Sequence, residues 1–128
     1  MWSHAKTELP KFFKIAGFTK EIYNRKNAND IKFIKRFIEE TNSMNLKRVI
    51  ITHYPPSKEC LKECSNFNDY YKSLYYNDLD DMFNNELVWI YGHTHYNIDK
   101  NINNTRLVSN QYGKGNNIDE TFSNCFML

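Results

Sequence analysis

The sequence predicts an α/β fold, and three observations support that class. Two short apolar runs, residues 48–52 and 87–91, are rich in β-branched or aromatic side chains and have the length of strands in a sheet. A third such run covers residues 105–109. Helical patterns lie before the first run and between the first two. Strands joined through a helical connection are typical of α/β sheets.

The first predicted helix covers residues 29–41, with Asn29 or Asp30 as its cap. Its charged side chains lie opposite an apolar side that recurs at helical spacing, formed by Ile31, Ile34, Phe37 and Ile38. This pattern indicates a surface helix that lies on a core.

The first strand, 48–52, is continuously apolar after its first residue, so we expect it to be covered on both faces. It ends before Pro55 and Pro56, which cannot continue a ladder. A second helix is predicted over 69–83, followed by the second strand, which ends at Gly92. Its apolar side is expected to consist of Tyr71, Leu74, Tyr75, Leu79, Met82 and Phe83. Residues 99–104 are rich in turn formers and precede the third strand.

Length and composition indicate a single domain over residues 1–128. The chain has 128 residues, a net charge of +2 and 16% aromatic residues, which is too aromatic for a disordered protein. The scattered charges offer no nucleic-acid signal, and no apolar run is long enough to cross a membrane. With neither a membrane span nor a signal peptide, we expect a cytoplasmic protein, in which its three cysteines are reduced thiols.

Three histidines follow predicted strands directly. His53 comes after the first strand, and His93 and His95 come after the second. Open α/β sheets place their ligand sites at the carboxyl ends of strands, so we expect the three imidazoles in one site. Neutral imidazole is a common ligand of transition metals, and Gly92 is expected to permit a turn that lets His93 and His95 face neighbouring ions. This pattern predicts metal ligation.

Two short motifs contain the three histidines: residues 52–57 read Thr-His-Tyr-Pro-Pro-Ser and residues 92–95 read Gly-His-Thr-His. With this spacing between them, the two motifs resemble the C-terminal half of the calcineurin-like metallophosphoesterases. Residues 105–113 with Phe122 are similar to the closing strands of that family, and residues 2–3 are similar to a Trp-Ser segment before this half. The resemblance implies that the chain is the C-terminal portion of a β-sandwich flanked by helices, incomplete by itself.

The resemblance also implies an activity and a set of site residues. Members hydrolyse phosphate esters with two divalent metals that clamp the phosphate and activate a water. By motif position, His53 and His93 would bind the second metal and His95 the first, which places His53 and His95 in the catalytic centre. Asn110 and His4 are candidates for substrate binding. Histidine-rich ligation suits Mn, Fe or Zn.

Other ligands of the family are missing from this sequence. It contains no Asp-x-His, Gly-Asp or Gly-Asn-His motif. Without a bridging carboxylate we expect at most one cation here, whereas the complete family site holds two. The missing motifs would lie upstream of Trp2, and the reading frame is then split, truncated or misannotated; a separately encoded N-terminal half is one candidate partner. Alone, the chain is expected to expose an apolar face and an unpaired edge, and so to aggregate or to associate with a partner that covers them.

Two alternatives stay open at this point. The chain is then either a catalytically inactive remnant or pseudoenzyme that binds one metal or a phosphorylated partner, or an independent hydrolase with one zinc on three histidines. Weaker candidates are a zinc site on Cys60 and Cys64, which has the wrong spacing, and a tyrosine stripe that helical spacing assigns to the core, formed by Tyr70, Tyr71, Tyr75 and Tyr76. Three aspartates are expected on a solvated helix face, namely Asp78, Asp80 and Asp81.

Overall fold

The computed structural model describes residues 15–61, 75–114, 117–118 and 120–124. They belong to two compact units, Met1–Met44 and Asn45–Leu128. The first unit contains the long helix and the second contains the sheet. Within the described residues no helix has both the length and the apolar composition needed to cross a membrane.

Helix α1 of the first unit covers Lys20–Thr41. Its end at Thr41 confirms the prediction, but the predicted start at residue 29 is wrong. Thr19 is the N-cap, and its Oγ1 accepts a hydrogen bond of 3.3 Å from the Ile22 backbone N–H. Few apolar residues mark the first turns, so the periodicity becomes visible only later, although no Gly or Pro interrupts the helix.

The second unit is built on a four-stranded mixed sheet with the order β1-β2-β4-β3. The three strands expected from the sequence are confirmed in place, and their bounds are Arg48–Thr52 for β1, Leu87–Tyr91 for β2 and Thr105–Ser109 for β4. These three are parallel to one another. The α/β class is therefore confirmed, with one α-helix among the described residues.

Strand β3, Ile98–Ile102, was not predicted, because its segment looked like a turn. It pairs antiparallel with β4 and forms a hairpin with it. Asn103 and Asn104 connect the two strands with φ of 47° and 65°. Two consecutive residues with positive φ are typical of the type I′ turn, whose twist suits a two-residue hairpin loop. A second, smaller hairpin pairs β5, Gly113–Lys114, with β6, Asn117–Ile118.

One face of the sheet is buried across the three parallel strands, and Val88 and Val108 are buried on the other face as well. Ile50, Trp89 and Leu107 are in register on neighbouring strands and are 6%, 0% and 0% exposed. On the other face of β1, Val49 is 38% and Ile51 74% exposed. The prediction that β1 is covered on both faces is therefore wrong. β1 is an edge strand in which buried and exposed residues alternate, although its sequence is continuously apolar.

The second predicted helix is wrong over the part that the structure describes; residues 69–74 lie outside it. Residues 75–83 contain a short 3-10 helix, Asp80–Met82, and no α-helix. The backbone N–H groups of Asn77 and Leu79 donate to the carbonyls of Pro55 and Pro56, each at 2.9 Å. Backbone pairing with the proline segment has replaced the helical hydrogen bonds that the apolar spacing predicted.

Candidate functional site

Two of the predicted histidines come together at the carboxyl end of the sheet. Thr52 and Tyr91 are in register at the ends of the parallel strands β1 and β2, so the residues that follow meet at one edge. The imidazole centroids of His53 and His93 are 5.0 Å apart. The Gly92 backbone N–H donates to the His53 carbonyl at 3.1 Å, which ties the two strand ends together.

The turn after β2 is made by the histidines themselves. His93 has φ of 71° and His95 has φ of 53°, both in the left-handed region. The Thr94 backbone N–H donates to the Gly92 carbonyl at 2.9 Å and closes a γ-turn around His93. A Cβ on Gly92 would lie 3.7 Å from the His53 carbonyl oxygen, which is ordinary van der Waals contact. The expectation that Gly92 provides the turn is therefore wrong.

The backbone around His95 is held by a residue that sequence analysis did not single out. Gln111 follows β4, and its Oε1 accepts from the His95 backbone N–H at 3.0 Å. Its Nε2 donates to Thr94 Oγ1 at 2.9 Å and to the Tyr96 carbonyl at 3.1 Å. Its position close to the end of β4, after Asn110, is the only feature of the sequence that indicates this role. Gln111 fixes the loop that carries His95, whose side chain is exposed.

The three histidines do not form a complete metal site within the described residues. Across residues 15–61, 75–114, 117–118 and 120–124, no three His, Cys, Asp or Glu side chains lie close enough to hold one ion. His53 and His93 are neighbours, but the expected three-imidazole group with His95 is not formed there. The residues present fit part of the ligand set of one cation and do not fit a two-metal centre.

Two tyrosines complete the surroundings of His93. The Tyr54 ring centroid lies 4.4 Å and the Tyr75 centroid 4.9 Å from the His93 ring, with interplanar angles of 55° and 34°. Both tyrosines are half-buried. The sequence predicted Tyr75 on the apolar side of a helix. That prediction is wrong, because Tyr75 lies in a non-helical segment beside His93. Tyr70 and Tyr71 lie outside the described residues. We name Tyr54, Tyr75, His53 and His93 the ring cluster.

Asn110, one of the two residues predicted to bind substrate, is hydrogen-bonded to Ser123. The Asn110 side chain donates to the Ser123 carbonyl at 2.7 Å and accepts from the Ser123 backbone N–H at 3.0 Å. These two bonds give Asn110 a structural role, the attachment of the segment around residue 123. His4 lies outside the described residues.

Ser57, which follows Pro55 and Pro56, is a fully buried polar residue. The Ser57 hydroxyl accepts from the Glu59 backbone N–H at 3.1 Å and caps a 3-10 helix, Lys58–Cys60. Burial raises the pKa of the Cys60 thiol to about 11. Burial likewise raises the pKa of Tyr91 and of Asp80, the latter against a hydrogen bond from Ser57. Within the described residues Cys60 belongs to no group of three ligands that could hold a metal ion; Cys64 lies outside them.

The prediction that three aspartates are solvated is confirmed for two of them. Asp78 and Asp81 are exposed, whereas Asp80 is half-buried. They flank or belong to the 3-10 helix and do not lie on an α-helix. No group of them with a third ligand is close enough to bind a metal within the described chain.

Comparisons with models of known protein families, with curated proteins and with solved structures find no match to this chain. The resemblance to calcineurin-like metallophosphoesterases therefore stays a prediction that rests on the two motifs at residues 52–57 and 92–95.

Proposed function

We propose that this chain contributes the histidine ligands of a metal-dependent phosphoesterase centre. One observation carries the proposal: the rings of His53 and His93, which follow the adjacent parallel strands β1 and β2, lie 5.0 Å apart at the carboxyl edge of the sheet. Two imidazoles so close together, on the loops after separate strands, offer two of the nitrogen donors that Mn, Fe or Zn accept.

The proposal assigns limited roles to the residues of this chain. His53 and His93 hold at most one cation, and His95, on the loop fixed by Gln111, is available to a second metal or to the substrate. A bound metal would lower the pKa of a coordinated water and supply a hydroxide nucleophile. The carboxylate ligands would come from the N-terminal half that the resemblance implies, in the same polypeptide or in another. In this proposal the protein acts in the cytoplasm, where Cys60 stays reduced.

Metal titration of the full chain tests the proposal. We expect one equivalent of Co²⁺ to bind per chain. The d–d absorption bands of the bound Co²⁺ should be those of an ion with imidazole ligands. His53→Ala and His93→Ala should each weaken that binding at least about tenfold, since each removes one of two donors. As a control for adventitious binding, Asp78→Asn removes an exposed carboxylate and should leave the affinity unchanged.

The outcome also separates the alternatives. Hydrolysis of bis-(4-nitrophenyl) phosphate that appears only when a polypeptide with the missing motifs is added supports the proposal. Hydrolysis by the chain alone, lost in His95→Ala, would replace it with the independent zinc hydrolase. Cobalt affinity that is unchanged in both His53→Ala and His93→Ala would refute the proposal outright.

A second function, binding without turnover, is favoured by one specific observation. No third His, Cys, Asp or Glu joins His53 and His93 among the described residues, whereas two tyrosine rings do. A pseudoenzyme that binds one metal or a phosphorylated partner needs no bridging carboxylate. One equivalent of metal with no hydrolysis, even in the presence of the added polypeptide, would support this function instead.

A further inference from the structure

Two amide side chains outside the two histidine motifs join the loop of His95 to the segment after β4. The Gln111 Oε1 accepts from the His95 backbone N–H at 3.0 Å, and its Nε2 donates to the Tyr96 carbonyl at 3.1 Å. Asn97 makes the reciprocal contact. Its Nδ2 donates to the Gln111 carbonyl at 3.0 Å, and its Oδ1 accepts from the Gln111 backbone N–H. We name Asn97 and Gln111 the amide pair.

These hydrogen bonds fix the orientation of the Gln111 amide. Both of its N–H donors are used, one by the Tyr96 carbonyl and one by Thr94 Oγ1 at 2.9 Å. A flipped amide would place its NH₂ group against the His95 N–H and its oxygen against the Tyr96 carbonyl. A carboxylate has the same shape but only accepts hydrogen bonds, so glutamate cannot replace this amide.

The amide pair extends the hydrogen bonding of the β3–β4 hairpin into the loop. Ser109, the last residue of β4, donates from Oγ to the Tyr96 carbonyl at 2.8 Å and accepts from the Ile98 N–H at 3.0 Å. The segment from Thr94 to Ile98 is thus bonded to residues 109–111 along its length. A loop that is ordered before a ligand arrives costs little entropy on binding.

The backbone conformation of His95 needs this support. Its φ of 53° lies in the left-handed region, which an ordinary residue leaves for the right-handed or extended regions when nothing holds it. The Gln111 Oε1 accepts from the N–H of that same residue. Loss of the Gln111 side chain would therefore move the Cα–Cβ bond that directs the imidazole, and small misplacements of a reacting group are costly.

We propose that Gln111 is a positioning residue for His95 and that Asn97 holds Gln111 in place. The inference rests on the proposed function and adds to it two residues that lie outside the histidine motifs. Neither residue touches the metal or the substrate in this mechanism. Both act through the backbone of the loop, which presents His95 to the second metal or to the substrate.

Hydrolysis of bis-(4-nitrophenyl) phosphate by the full chain, with Mn²⁺ and a polypeptide that has the missing motifs, tests the inference. Gln111→Met keeps the length of the side chain and removes its three hydrogen bonds, and Gln111→Glu removes the two donors alone. We expect each to lower kcat/KM about 5- to 30-fold. In a His95→Ala background Gln111→Met should have no further effect, because Gln111 acts through His95.

Two measurements separate positioning from a general loss of structure. The Co²⁺ affinity that rests on His53 and His93 should be the same in Gln111→Met as in the wild type. In the metal-free chain, ¹⁵N relaxation should give an order parameter of about 0.85 for the His95 N–H, and below about 0.6 in Gln111→Met.

Asp99→Asn is the matched control. It weakens a pair of hydrogen bonds from Arg106, each 2.9 Å long, in the same hairpin but away from the loop. This variant should leave both kcat/KM and the order parameter of the His95 N–H unchanged.

The failure of this inference is separable from that of the proposed function. Equal loss of kcat/KM on Gln111→Met with and without His95 would overturn the inference alone, as would an order parameter at His95 that Gln111→Met leaves unchanged. If no mixture hydrolyses the ester, or if His53→Ala and His93→Ala both leave the Co²⁺ affinity unchanged, the proposed function and the inference that rests on it fail together.

Discussion

At the scale of single residues, the site depends on backbone conformations that few side chains adopt. His93 and His95 both have positive φ, which costs an ordinary residue about 1–2 kcal/mol relative to right-handed backbone. Histidine is among the residues that tolerate this region better than β-branched ones. The loop therefore stores strain at the residues that carry the proposed chemistry, and Gln111 and the γ-turn at His93 hold it in place.

Substitution of His95 measures this strain. We expect His95→Gly to raise the free energy of unfolding by up to about 1 kcal/mol, because glycine adopts positive φ freely. His95→Val should lower it by about 1–2 kcal/mol, since a β-branched side chain is strongly disfavoured there. Urea unfolding followed by circular dichroism gives both values. Equal destabilisation by the two substitutions would contradict the left-handed conformation.

The buried thiol makes stability depend on alkaline pH. Cys60 ionises near its usual value of 9.0 in the unfolded chain but at about 11 when folded. Between these values the folded state keeps a proton that the unfolded state has lost, so stability is full below pH 9 and declines as pH rises toward 11. The expected loss is about 2–3 kcal/mol.

Urea midpoints of the wild type and Cys60→Ala between pH 8 and 11 check this dependence. The alanine variant should be less stable at pH 8 because it loses packing, yet its stability should decline less steeply with pH. Tyr91 contributes to the decline in both proteins, since burial raises its pKa too. If the urea midpoints of the two proteins declined equally with pH, the Cys60 thiol would not be buried and neutral in the folded state.

At the scale of elements, the β3–β4 hairpin shows how a local turn makes a strand out of a polar segment. Ile98–Ile102 has few strand formers, and its interior residues Asp99 to Asn101 are polar. Two interactions stabilise this segment as a strand although its β-propensity is low. It pairs with β4, and Asp99 forms an ion pair with Arg106, with 2.9 Å between Nε and Oδ1. The two-residue Asn-Asn loop is the local signal for this hairpin.

The same substitution at two asparagines tests the turn. Asn104→Gly should raise the free energy of unfolding by about 0.5–1 kcal/mol, because Asn104 has φ of 65° and Asn-Gly is the preferred pair in type I′ turns. Asn101→Gly, within β3, should lower it by a similar amount, since glycine weakens a strand interior. Thermal unfolding of the two variants gives the comparison. A stabilising Asn101→Gly or a destabilising Asn104→Gly would refute the assignment.

At the scale of the whole molecule, β1 leaves apolar surface exposed. Ile51 is 74% and Val49 38% exposed on one face, whereas Ile50 between them is 6% exposed. The expectation of an exposed apolar face is thus confirmed for this part of the sheet. Adjacent exposed aliphatic side chains on an edge strand favour association in water.

A charge at position 51 should suppress that association. We expect Ile51→Lys to lower static light scattering at high protein concentration while changing the free energy of unfolding by no more than about 0.5 kcal/mol. Ile50→Lys is the matched control, one residue away on the covered face, and should prevent stable folding because it buries a charge. Scattering that is the same in Ile51→Lys and the wild type would mean that this surface does not drive association.

The sequence by itself determined the α/β class, three strands with their bounds, and the two histidines that meet at the edge of the sheet. Those features depend on short-range patterns, namely β-branched runs and the residues that directly follow them. The end of α1 at Thr41 belongs with them. Each follows from residues that are neighbours along the chain.

Only the tertiary structure decided the remaining features, because each depends on partners distant in sequence. Residues 75–83 have helical spacing, but their backbone is bonded to the Pro55 and Pro56 carbonyls and forms no α-helix. Tyr75 thereby reaches His93, and Gln111 reaches the loop of His95 across the hairpin. The exposure of Ile51 depends on which distant segments cover each face of the sheet, and no local pattern encodes that. Hydrogen bonds and burial between distant segments outweigh local propensities of a few tenths of a kcal/mol per residue.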